Sequence, residues 1–136
     1  MADIDWVILS ELSIVEKGTS KLSVLGISEG VYVKRLPFVL PKLCVNMRLV
    51  GDAQEKVPIG LTLIAPDGSV MANADGQAVF GPVGAGMTYV AFKSIQFRQA
   101  GLHEIRISLA GIPTKSASFV VFVQKEQGGE APSRYD

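Results

Sequence analysis

The chain holds one histidine, His103, and one cysteine, Cys44. These two side chains offer the most chemistry. A histidine can serve as general base or metal ligand, and a thiolate set among cations is a nucleophile. Cys44 stands between Lys42 and Asn46, with Arg48 further along the same parity, a setting that favours the thiolate. Nucleophilic catalysis also needs a base within hydrogen-bond reach, and the sequence nominates none. His103 shares the parity of Ile105, Ile107 and Leu109, so it reads as the start of a core-facing row near a sheet rim. One His and one Cys give no recognisable metal-ligand spacing. The glycine-rich run 81–86 lacks the Gly-Lys-Ser/Thr ending and the following helix of a phosphate-cradling loop. Asp67-Gly68 and Asp75-Gly76 are turn signals, far short of the oxygen set that calcium requires. No Ser/His/Asp order, HExxH, CxxC or paired-carboxylate arrangement stands out. The expectation is a protein that is not an enzyme and carries no cofactor and no metal.

Strands must position whatever binding groups exist. Period-2 alternation and turn residues recur along the chain, and no segment sustains a helical period. In 5–14, Trp6, Ile8, Leu12 and Ile14 share one face. Residues 16–20 turn the chain into 21–27, where Gly18 can supply a positive φ. A Ser28-Glu29-Gly30 break precedes 31–33. Pro37 and Pro41 cannot donate to a ladder, so 36–41 reads as an edge segment or a sheet-to-sheet crossing. In 42–50, Leu43, Val45, Met47 and Leu49 point one way, and Lys42, Cys44, Asn46 and Arg48 point the other. A polar loop spans 51–58, with a helical turn over 51–55 as an alternative. The strand 59–65 ends in a Pro66-Asp67-Gly68-Ser69 turn. One or two short strands lie in 70–80, a flexible connector in 81–86, and the last three strands in 87–97, 102–109 and 116–124. Residues 99–101 and 111–113 join those three. These spacings predict an all-β fold, an antiparallel two-sheet β-sandwich (immunoglobulin-like or similar), with a small barrel as the alternative. The domain is 1–124, and 125–136 is expected to be a disordered tail.

With 136 residues, 48% of them hydrophobic and 19% charged, the chain suits a single folded domain. Thirteen basic and thirteen acidic residues cancel, leaving no basic excess for phosphates, so nucleic acid is not an expected partner. The amino terminus has two acids and no basic region, and the apolar run behind it is interrupted by Ser10, Glu11 and Ser13. It reads as neither signal peptide nor membrane span. A single cysteine fits a reducing compartment, and cytoplasm is the expectation.

Residues 21–27, KLSVLGI, followed by Pro37, Pro41 and then 43–49, LCVNMRL, resemble a family of small bacterial proteins of unknown function. Its members carry a similar hairpin, a Pro-bracketed crossing and a following strand of this type. The Pro66-Asp67-Gly68 turn and the last two strands fit the same layout, over roughly 5–124. The resemblance implies a β-sandwich and supplies no activity and no functional residues.

Strand 116–124 is apolar on both faces: Ala117, Phe119, Val121 and Val123 on one, Val120 and Phe122 on the other. A one-sided sheet strand should alternate. Either another segment covers the second face or it meets a partner. The candidate interaction surface is therefore Val120 and Phe122, with Cys44, Asn46 and Arg48 projecting on the non-core face of 42–50. The function expected is a protein-binding or assembly module that contacts a protein partner or forms a homo-oligomer. One alternative is a small-molecule or glycan-binding sandwich using loops 51–58 and 81–86. The other is a structural component of a phage or secretion apparatus.

Overall fold

The computed structural model describes residues 2–15, 17–18, 21–27 and 30–124. The expectations for the 16–20 turn fall partly outside that range, and those for Ser28-Glu29 and the tail 125–136 fall wholly outside it. The described residues form strands β1 (Asp3–Val15), β2 (Leu22–Ile27), β3 (Gly30–Val33), β4 (Phe38–Val50), β5 (Lys56–Ile64), β6 (Val70–Val79), β7 (Ala85–Phe97), β8 (Gly101–Leu109) and β9 (Ile112–Val123). They make two sheets, in the order β2-β1-β4-β7 and β3-β9-β8-β5-β6. The first is called sheet A below and the second sheet B. No helical turn forms at 51–55, where Glu55 N–H instead donates to Asp52 O at 3.2 Å.

The inner faces meet in one core. From sheet A it takes Leu43, Val45, Met47 and Leu49, and from sheet B Leu61, Leu63, Ile105 and Ile107, all buried. Both rows were visible as alternation. Fully burying each such side chain stabilises the fold by roughly 1.5–3 kcal/mol, enough together to oppose the chain entropy lost.

Three details depart from the sequence reading. First, Trp6, Ile8, Leu12 and Ile14 do not form a core row. The β1–β4 register shifts between Ile4 and Trp6, and this irregularity moves the core face to Ile4, Val7 and Leu9. Leu12 and Ile14 are left exposed, because one extra residue inverts the parity of everything after it. Second, β3 pairs with β9 in parallel, Gly30 opposite Val120 and Val33 opposite Val123, whereas every other ladder is antiparallel. β2 belongs to sheet A and β3 to sheet B. Parallel neighbours need a long connection, which the chain between β3 and β9 supplies. Third, β4 begins at Phe38, so Pro41 lies inside it. There β4 pairs only with β7, since its pairing with β1 starts at Cys44. Pro41 is tolerated because its missing N–H faces no second ladder. The crossing from sheet B to sheet A is the segment 34–37.

The β8–β9 hairpin turns on Ala110 and Gly111, with φ of 51° and 79°. Two successive left-handed residues make the two-residue turn whose twist suits a hairpin. The turn precedes the predicted 111–113 by one position.

Candidate functional site

The five residues nominated as an interaction surface do not come together. Val120 and Phe122 belong to sheet B, whereas Cys44, Asn46 and Arg48 belong to β4 of sheet A. Cys44 and Asn46 are also 0% exposed, which removes them from any accessible surface. Arg48 is half-exposed and ion-paired with Asp5 at 2.7 Å.

Asn46 is buried because it belongs to a closed polar network. Its ladder partners are Ile8 on one side and Tyr89 on the other. Its Nδ2 donates to Ile8 O at 2.9 Å and to Ser10 Oγ at 2.8 Å. A carbonyl only accepts, so this bond also fixes the orientation of the amide. Oδ1 accepts from Ser13 Oγ. Ser13 has spent its one proton there, so the Ser10–Ser13 contact at 3.1 Å requires Ser10 as donor, with Leu12 O at 3.2 Å as its alternative. Every member has a partner, and the cluster holds β1 against β4. Cys44 Sγ lies 3.9 Å from Glu11 O, and the thiol is buried.

Sheet B carries an exposed apolar feature. Phe122 and its β3 partner Tyr32 stack with ring centroids 5.0 Å apart and planes 12° from parallel. Each is 43% exposed, and Leu102, paired with Val120 beside them, is 59% exposed. Gly30 permits this arrangement, since a Cβ there would lie 3.1 Å from Phe122 Cε2 and from Val120 O. Further along the same face come Ser118, Glu104 and Arg106, the last two paired at 2.9 Å. The result is an aromatic and aliphatic corner with a polar margin. Phe122 and Val120 were legible from two-faced apolarity. Tyr32 and Leu102 were not, because the parallel β3 pairing brings Tyr32 in.

The loops proposed for a ligand, 51–58 and 81–86, do meet, but against each other. Gly51 N–H donates to Gly84 O at 2.8 Å and Gln54 N–H to Gly81 O at 3.2 Å. A Cβ at Gly84 would collide with Gly51 O, so the loops are packed backbone to backbone. The connector is a tied turn.

At the opposite end, where β5 turns into β6 and β7 leaves for β8, lies a cleft of about 420 Å³. It sits between the edge strands β6 and β7. Its polar lining residues are Ser69, Lys93, Ser94, Gln96, Arg98, Gln99 and His103, with no acid among them. Ser94 has φ of 52°. His103 is 0% exposed, stacked on Phe119 (5.4 Å, 18°) and met edge-on by Phe97 (5.2 Å, 84°). Its Nδ1 is 3.0 Å from Gly101 O. A carbonyl accepts only, so Nδ1 carries the proton. Burial lowers the His103 pKa, the Gly101 bond opposing it in part. In the neutral ring Nε2 is an acceptor, and it is buried without a partner. The inward parity of His103 was legible; its unmet acceptor was not. Lys93 and Arg98 carried no local motif, and only the short β7–β8 connection could have suggested that they lie near His103.

Among the described residues, no group of three or more His, Cys, Asp or Glu side chains could hold a metal ion. Nor is any helix there long and apolar enough to cross a membrane.

Comparison with known proteins places the fold. The Pseudomonas fluorescens alkylpurine DNA glycosylase AlkC, solved bound to DNA containing an abasic site analog, superposes with a TM-score of 0.55 at 10% identity. The match covers 89% of this chain but only 30% of the glycosylase, so the likeness is one of fold. An immunoglobulin-like protein from Pseudomonas aeruginosa gives a TM-score of 0.46 at 17% identity, covering 90% of this chain and 97% of that one. No curated protein matches the sequence. A family model does, over residues 8–122, and the chain belongs to that family of unknown function, DUF6941.

Proposed function

We propose that this chain is a non-enzymatic, cytoplasmic protein-binding module that docks a protein partner on the Tyr32–Phe122 corner of sheet B. The observation that carries this reading is the stacked pair itself. Two aromatic rings, each 43% exposed, stack on each other on a sheet face beside a 59% exposed leucine. Aromatic anchors within a polar margin are the usual anatomy of a binding hot spot, where a few side chains supply most of the affinity. The stacking also pre-orders both rings, so less side-chain entropy is lost on docking. The buried, unpaired thiol of Cys44 is compatible with a reducing compartment.

The test is affinity capture from the native host with three baits: wild type, Phe122→Asp, and Val83→Asp as a control on the opposite loop end, where Val83 is 88% exposed. A partner held by this corner is recovered by wild type and control and lost with Phe122→Asp. Recovery of the same proteins by all three baits refutes the reading.

A further inference from the structure

We propose that β2 is a dimerisation edge, pairing antiparallel with the β2 strand of a second copy of this chain about a two-fold axis at Val24. This surface lies in sheet A, separate from the aromatic corner of sheet B, and does not depend on it.

A strand at a sheet edge presents unpaired N–H and C=O groups that template another strand. Folded proteins blunt such edges with charge, proline, short length or a covering element. Every other edge of this sandwich has such a device. β6 and β7 abut, since a Cβ at Gly76 would lie 2.5 Å from Val90 Cγ2. β6 also carries Asp75, and β7 carries Lys93 and the left-handed Ser94. β3 has only four residues. The stretch of β9 that β3 leaves unpaired, 112–119, contains Pro113 and Lys115. The stretch of β1 that β2 leaves unpaired, 3–9, contains Asp3 and Asp5. β2 itself has no charged residue and no proline, and among the described residues no strand lies on its outer side.

The side chains beside that edge fit a second copy. Leu25 is 53% exposed, its β1 partner Leu12 is 39% exposed, and Ile14, opposite Ser23, is 44% exposed. Cross-strand pairing and period 2 put all three on one face of the β1–β2 ribbon. A two-fold axis that pairs like edges stands normal to the sheet and keeps each face on its own side. Opposed residues must then share parity. With Val24 facing the partner's Val24, Ser23 faces the partner's Leu25. Ile14, Ser23 and the partner's Leu25 and Leu12 then form one cross-strand row. Its symmetry mate lies beside it, so six exposed aliphatic side chains join in one strip across the axis. A register centred on Ser23 would instead set Lys21 against the partner's Leu25. No like charges meet in the ladder centred on Val24, because β2 holds none. Isologous pairing also uses up the edge in both copies and so closes as a dimer. Three exposed aliphatics a copy place the contact in the size class below about 1,200 Å², that of weak associations.

Sedimentation velocity of the full chain tests the proposal. The mass should rise from monomer to dimer between about 10 μM and 1 mM. Leu25→Lys, which sets a charge into the strip from an exposed position, should stay monomeric throughout with an unchanged β circular-dichroism spectrum. Phe122→Asp, on the other sheet, should dimerise as wild type does. Mild oxidation reads the register. Val24→Cys faces its own mate across the axis and should give a disulfide-linked dimer, whereas Leu22→Cys faces the partner's Gly26 and should not. Cys44 is buried and does not compete. A chain still monomeric at about 1 mM overturns the proposal, as does a dimer that survives Leu25→Lys or is lost with Phe122→Asp. Equal cross-linking of the two cysteine variants overturns the register.

Discussion

Replacing Asn46 with alanine removes three side-chain hydrogen bonds from a site with 0% exposure. Ile8 O and Ser10 Oγ lose their donor, and the Ser13 hydroxyl loses its acceptor. Ser10 and Ser13, at 0% and 3% exposure, cannot turn to water, but Ser13 can donate to Ser10 Oγ and Ser10 to Leu12 O. Two hydrogen bonds are therefore lost net at about 1 kcal/mol each, and the space vacated by the amide adds about 1 kcal/mol more, so the loss is about 3 kcal/mol. That is a large share of the ~5–15 kcal/mol that stabilises a typical domain. Urea unfolding, followed by the fluorescence of the single Trp6, measures it as a lower midpoint at unchanged slope. Asn46→Leu isolates the polar contribution, since it fills the space without restoring the bonds, and it should remain about 2 kcal/mol below wild type. If Asn46→Ala costs less than about 1 kcal/mol, the network is not what holds β1 against β4 and the accounting is wrong.

Burial lowers the His103 pKa below its ordinary 6.5, so the unfolded chain takes up this proton first. Stability should fall as pH drops through 6.5, by up to about 1.4 kcal/mol per pH unit, until folded His103 itself protonates. Asp67 is lowered from 3.8 by its bonds to Ser69, so its contribution is lost only in more acid solution. The slope just below pH 6.5 should therefore vanish in His103→Gln, as followed by melting temperature; an unchanged slope would assign it elsewhere. In the hairpin, Ala110→Asn suits the left-handed φ of 51° and should raise stability by about 0.5–1 kcal/mol in the same urea assay. A destabilised variant would contradict the turn geometry.

Much of the sandwich was legible because alternation is local. The rows Leu43-Val45-Met47-Leu49 and His103-Ile105-Ile107-Leu109 point inward as their parity requires, and the Glu104–Arg106 pair lies outside. The family resemblance seen around 21–49 holds over 8–122. What parity could not show was the register irregularity near Asp5, which inverts the β1 face, since an extra residue leaves no mark in composition. Nor could it show that the outer face of β4 is sealed. Burial of Cys44 and Asn46 depends on their β1 and β7 neighbours, such as Ile8 and Tyr89, about forty residues away on either side.

The chemistry-bearing pair, His103 and Cys44, divides along the same line. From sequence alone, their types and parities placed one inward and one outward and nominated no recognisable catalytic set. Tertiary structure decided that both are buried, that Cys44 lies against the Glu11 carbonyl, and that His103 keeps an acceptor without a protein partner. Strand parity is written in neighbouring residues, but exposure, pairing partners and unmet hydrogen bonds belong to the space between strands. That space is set by segments distant in the chain.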